Sequence, residues 1–182
     1  MKGGYDENDP SFFEDLEDFL EYAENTRNDQ SSILHIAAVQ GKQSMVEVLL
    51  DTNRNRSERL RNILLRFHVG EVEIDAKDSG NNTPLNYACR EGYMRIAKLL
   101  LDRGADVNNH GYMGSTPLHD LFSTSIEGKT TLNIEEVNYF YKWAKFLIDA
   151  GADVNARNRY GSTPLHIHCM NTHMGIFYIV KA

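Results

Sequence analysis

The chain has 182 residues, 41% hydrophobic and 25% charged, with a formal net charge of −7. That length suits one compact domain or one short repeat array, with enough apolar content for a real core. No stretch approaches the roughly 20 apolar residues of a membrane helix, the acidic N-terminus is unlike a signal peptide, and no basic face marks a nucleic-acid binder. The charge is unevenly placed. Residues 1–24 hold nine acidic side chains against Lys2, and the remainder is close to neutral.

Taken in order, Asp9-Pro10-Ser11-Phe12-Phe13-Glu14 reads as a helix start, with a Ser cap followed three residues later by Glu. Phe12, Leu16, Phe19, Leu20 and Ala23 then fall on one stripe at helical spacing, and the opposite face is nearly all carboxylate. Residues 1–30 are therefore expected to form an acidic N-terminal capping helix. The alternative is a docking helix for a basic groove on a partner. Ser32 to Ala38 opens a first helix and Ser44 to Leu50 forms a second. An insert over 54–71 follows, in which Ser57 caps a short helix with Leu60, Ile63, Leu64 and Phe67 on one face. Arg54, Arg56, Arg59, Arg61 and Arg66 surround that face. They read either as a basic binding surface, as solvated side chains on the array's flank, or as a partner for the acidic helix.

From Thr83 the pattern sharpens. Thr83-Pro84-Leu85 leads through an amphipathic run to Gly104-Ala105-Asp106-Val107-Asn108, and Thr116-Pro117-Leu118-His119 restarts it 33 residues later. Thr163-Pro164-Leu165-His166 and Gly151-Ala152-Asp153-Val154-Asn155 repeat both halves. Thr suits a helix N-cap, Pro the first helical position, and Gly a left-handed C-cap. Several residues agreeing at fixed offsets make the match specific, and the chain resembles the ankyrin-repeat family. The resemblance implies an all-α solenoid of about four helix-turn-helix repeats with short β-hairpin tips. Their approximate bounds are 31–74, 75–107, 108–154 and 155–182. Asn86 stands where the signature has His. The third repeat carries an insertion over 123–137, with Asn133 and Glu136 as a capping box, so its second helix is expected to start near Ile134 and run to Asp149. The inward stripe of that helix is read as Val137, Phe140, Tyr141, Ala144 and Leu147 or Ile148. Phe122 occupies a small-residue slot that needs room. Cys89 and Cys169 share one repeat position and read as buried core residues in a reducing compartment. The apolar C-terminal run Ile176 to Val180 is expected to pack on further repeats or on another chain.

Chemistry is scarce. His166, His168 and His173 near Cys169 fit no standard zinc spacing, and there is no phosphate loop, GxSxG or HExxH. No catalytic residue, metal or cofactor is nominated. Repeats of this kind bind proteins with their tips and the exposed face of the first helix. By offset from the signature Thr, the resemblance places Lys77, Ser79, Asn82, Arg90 and Glu91 in solvent in the second repeat. In the third it places His110, Tyr112, Met113, Ser115 and Ser123 there, and in the fourth Arg157, Arg159, Tyr160, Ser162 and Met170. Tyr112, Met113, Arg157, Arg159 and Tyr160 are read as the anchor patch. The resemblance also suggests hydroxylation of Asn108 and Asn155. The expected function is a non-enzymatic protein-interaction module, monomeric, in cytosol or nucleus, or in a host cell as a viral or bacterial effector. The alternatives are a recruiting domain of a longer enzyme or scaffold, and an inhibitor-like regulator of transcription factors.

Overall fold

The computed structural model describes residues 5–26, 31–51, 57–123 and 134–171. Among the described residues all regular structure is helical, and no helix is long and apolar enough to cross a membrane. The chain runs α1 (Pro10–Thr26), α2 (Ile33–Val39), α3 (Gln43–Leu50), α4 (Glu58–Arg66), α5 (Pro84–Arg90), α6 (Met94–Asp102), α7 (Pro117–Ser123), α8 (Ile134–Asp149) and α9 (Pro164–Asn171).

The first helices α2, α5, α7 and α9 stack in chain order, each on its neighbour. Behind them α3 packs on α2 and on α6, α6 on α5, and α8 on α7. Leu34, Ala37 and Ala38 in α2 and Leu85, Ala88 and Cys89 in α5 are buried, and each of these helices packs both on the second helix of its own unit and on the first helix of a neighbouring unit. A seven-residue helix is too short to persist alone, so the stacking supplies its stability. Gly104 and Gly151 end α6 and α8 with φ of 92° and 97°, the left-handed region expected of a C-cap. Their geometry lets Ala105 donate to Leu100 at 3.1 Å and Ala152 donate to Leu147 at 3.0 Å, satisfying terminal carbonyls.

The α1 stripe, Phe12, Phe13, Leu16, Phe19, Leu20 and Ala23, lies in the chain's own core together with Leu34 and Leu60. Burying each such large apolar side chain is worth roughly 1.5–3 kcal/mol, so α1 is held by its apolar face. In α4, Ser57 Oγ accepts the Leu60 N–H at 3.2 Å, and Leu60, Ile63 and Leu64 are buried. Two of its arginines turn toward α1. The Arg59 guanidinium sits 4.1 Å from the Phe13 ring centroid, and Arg66 pairs with Glu17 at 3.1 Å. That ion pair is solvent-exposed and contributes little by itself. Arg61 is exposed, and Arg54 and Arg56 lie outside the described residues.

Four expectations need correction. The tips carry no strand among the described residues. They close through turns, with Asp78 donating to Asn82 at 3.1 Å, Gly111 to Ser115 at 2.8 Å and Asn158 to Ser162 at 3.0 Å, because arms this short cannot build a ladder. In α8 the inward face is Phe140, Trp143, Ala144 and Leu147, while Tyr141 and Ile148 are exposed, as a 3.6-residue period centred on Leu147 requires. Val137's side chain lies outside the description. Cys169 is exposed although Cys89 is buried; α9 packs chiefly on α7. Asn82, read as solvent-facing, is buried beneath the next tip. Phe122 finds its room between Phe140 and His168, with ring centroids at 6.3 Å and 4.7 Å.

Candidate functional site

The helix caps link each unit to the next. In α2, Ser32 donates its N–H to His35 Nδ1 at 3.1 Å, and His35 Nε2–H donates to the Asn82 carbonyl of the next unit at 2.9 Å. In α7, Thr116 donates to His119 Nδ1 at 3.1 Å, and His119 Nε2–H donates to the Ser162 carbonyl at 3.0 Å. This assignment fixes the neutral Nε2–H tautomer for both rings. Burial depresses the pKa of each below its ordinary 6.5.

Asn86 performs only the first of these two tasks. Its Oδ1 accepts the Thr83 N–H at 3.0 Å, but the shorter side chain does not span to the next unit's carbonyl. Its Nδ2 instead donates to Asp120 Oδ2 at 2.7 Å. Asp120 thus takes the place of the missing reach. It is buried, and it also accepts from Arg90 Nη2 at 2.9 Å and Nε at 3.3 Å. Burial raises the Asp120 pKa, opposed by Arg90 and Asn86. Arg90 is therefore not the free contact residue the offsets imply. Its side chain is 31% exposed and is tethered to Asp120 and to Asn82 Oδ1.

The tips form one connected ridge. The Tyr112 N–H donates to Asn82 Oδ1 at 2.9 Å, and the Arg159 N–H donates to the Met113 carbonyl at 2.9 Å, tying the second tip to the third and the third to the fourth. Tyr112 and Tyr160 are 56% and 74% exposed. Met113 is half-buried and holds a φ of 54°, a left-handed conformation that costs a residue with a Cβ. Lys77, Ser79, His110, Arg157 and Arg159 are exposed. Two of these are partly engaged, since Arg157 donates to the Gly161 carbonyl at 2.7 Å and His110 Nδ1–H to that of Gly114 at 3.0 Å. Asn108 braces the following turn, donating to the Gly151 carbonyl at 2.9 Å and accepting from the Asp153 N–H at 2.8 Å. Asn155 is exposed, and its N–H donates to Asp153 at 2.8 Å.

The offset rule, applied only from the second repeat onward, missed an apolar patch at the other end. Tyr22 of α1, Ile36 and Val39 of α2 and Tyr87 of α5 line a cavity of about 320 Å³. Val39 stands seven residues after Ser32, as Arg90 stands seven after Thr83, so the same arithmetic would have found it. The Tyr87 O–H donates to Asp78 at 2.6 Å, and burial together with that carboxylate pushes its pKa up to about 12. Among the described residues no group of His, Cys, Asp and Glu side chains is gathered to hold a metal. His166 is engaged by its own cap Thr163 at 2.8 Å, and His173 lies outside the described residues.

Ankyrin repeats in three copies match residues 11–109 and 57–127, ankyrin repeats in many copies match 141–179, and the single ankyrin repeat matches 113–159. The chain belongs to the ankyrin repeat family. Its relatives include an ankyrin repeat protein of Rickettsia bellii (strain RML369-C), 33% identical over 79 residues, 42% of this chain and 46% of that protein. The ankyrin repeat protein FPV233 of Fowlpox virus is 46% identical over 52 residues, covering 26% of this chain and 10% of its own. The E3 ubiquitin-protein ligase XBAT33 of Arabidopsis thaliana is 49% identical over 39 residues, 21% of this chain and 8% of the ligase. The chain thus spans less than half the length of these relatives. Ankyrin repeats imply a protein-interaction module.

Proposed function

We propose that the chain is a non-enzymatic module that docks a partner protein along its tip ridge and the adjoining concave helix face. The single observation that carries this reading is the ridge itself. Exposed Tyr112 and Tyr160 flank Met113 and Arg159, on turns cross-tied by hydrogen bonds from the Tyr112 and Arg159 N–H groups. Aromatic and arginine side chains on a rigid base lose little freedom on binding and supply most interface energy. Tyr112→Ala combined with Tyr160→Ala tests it. Both side chains are exposed, so the melting temperature should stay within a few degrees of wild type. Capture from cell extract, quantified by mass spectrometry, should lose the bound partner at least about tenfold, equivalent to roughly 1.4 kcal/mol. Unchanged capture would place the interface elsewhere. A second reading, a recruiting domain within a longer enzyme, is supported by the match to XBAT33, of which the shared segment is 8%.

A further inference from the structure

A second surface begins beside the second tip. Between the C-terminal end of α1 and the run that follows α4 lies an open groove of about 610 Å³. Its floor includes half-buried Phe67, Val69 and Val72, which pack against the core from one side only. Its rim carries Glu24, Glu71 and Glu73, all exposed and none paired with a cation among the described residues. Two arginines of the same insert do not answer these charges. Arg59 and Arg66 are turned to Phe13 and Glu17 instead. The groove wall is also chemically unfinished. Gly70, Glu71 and Val72 lie in neither helix nor turn, and their backbone N–H and C=O groups bond to nothing among the described residues. Along this wall Val72 and Ile74 turn inward while Glu71 and Glu73 turn outward, the two-residue alternation of extended chain.

We propose that this groove takes a peptide segment of a partner protein, bearing an apolar side chain flanked by lysine or arginine. The apolar side chain covers the Phe67–Val69–Val72 floor. The peptide's main chain pairs with the free groups of Gly70, Glu71 and Val72, as an added strand does at an exposed edge. Its cations meet Glu24, Glu71 and Glu73, which exclude acidic sequences by like-charge repulsion. The assignment rests on the reading of the chain as an interaction module, but it uses none of the ridge residues.

The test pans a phage-displayed library of random peptides on the full chain. An enriched peptide is then labelled with fluorescein and titrated by anisotropy. The expected consensus is an apolar residue between basic ones, with binding that weakens as salt is raised. Glu71→Gln with Glu73→Gln, both exposed positions, should weaken it about tenfold. The amide resonances of Gly70, Glu71 and Val72 should shift on binding, and Tyr112→Ala with Tyr160→Ala should leave it unchanged. No basic-apolar enrichment, or binding indifferent to the two glutamine substitutions, overturns the groove. Loss on the tyrosine variant alone overturns it too, while leaving the ridge as the interface.

Discussion

At the scale of single residues, the chain depends on groups that work in one protonation state. His35 and His119 each accept a backbone N–H at Nδ1, so a proton there would set donor against donor. Both folded pKa values lie below 6.5, and the unfolded chain therefore binds protons first as pH falls. Stability is full above the unfolded value and is lost as pH drops through the folded one. Urea midpoints should fall between about pH 7.5 and pH 5.5, and less steeply in His119→Asn; equal slopes would remove His119 from the account. Asp120 has the opposite sign, since its raised folded pKa makes its contribution decline as pH rises through the carboxylate range. Removing it is a sharper probe. Asp120→Ala removes the acceptor of Asn86 Nδ2 and the carboxylate paired with Arg90, and should cost about 3 kcal/mol by urea unfolding. Adding Arg90→Leu should recover part of that loss, and a double variant as unstable as the sum would argue against coupling.

Among the elements, α1 and α4 behave as one closing layer at the start of the array. Their apolar faces meet the core, and their opposite charges meet each other at Arg66 and Glu17. Leu16 is fully buried, so Leu16→Ala should cost about 2–5 kcal/mol, whereas Arg66→Ala should cost less than about 1 kcal/mol. Thermal melts of the two variants would separate packing from charge. The helices were legible because caps, apolar spacing and terminal glycines all agreed, as with Ser57 and α4 or the early start of α8. What was not legible arose from contacts across units. Arg90 reads as surface by offset, and only the fold brings Asp120 beneath it. Tyr141 and Leu147 both fit an apolar stripe, and the packing of α8 on α7 chooses between them. The insert read as basic from its arginine count, and in the structure Arg61 and Arg66 stay exposed, with the exposed acidic side chains of Glu71 and Glu73 following them in the chain.

At the scale of the whole molecule, the first helices are stacked one on the next, and the proposed binding surfaces are consequences of that stacking. The ridge exists because the third tip is tied to the second and fourth, by Tyr112 N–H to Asn82 and by Arg159 N–H to Met113. The peptide groove exists because the first repeat is extended by α4 before the second begins. The two lie on different parts of the array, so one chain could hold two partner segments, with affinity raised by their linkage. The most direct measurement is hydrogen exchange on the captured complex against the free chain. The account predicts slowed exchange at 77–82, 110–116 and 157–162, with α3, α6 and α8 unaltered. Protection confined to those second helices, with the three tips exchanging as before, would contradict it.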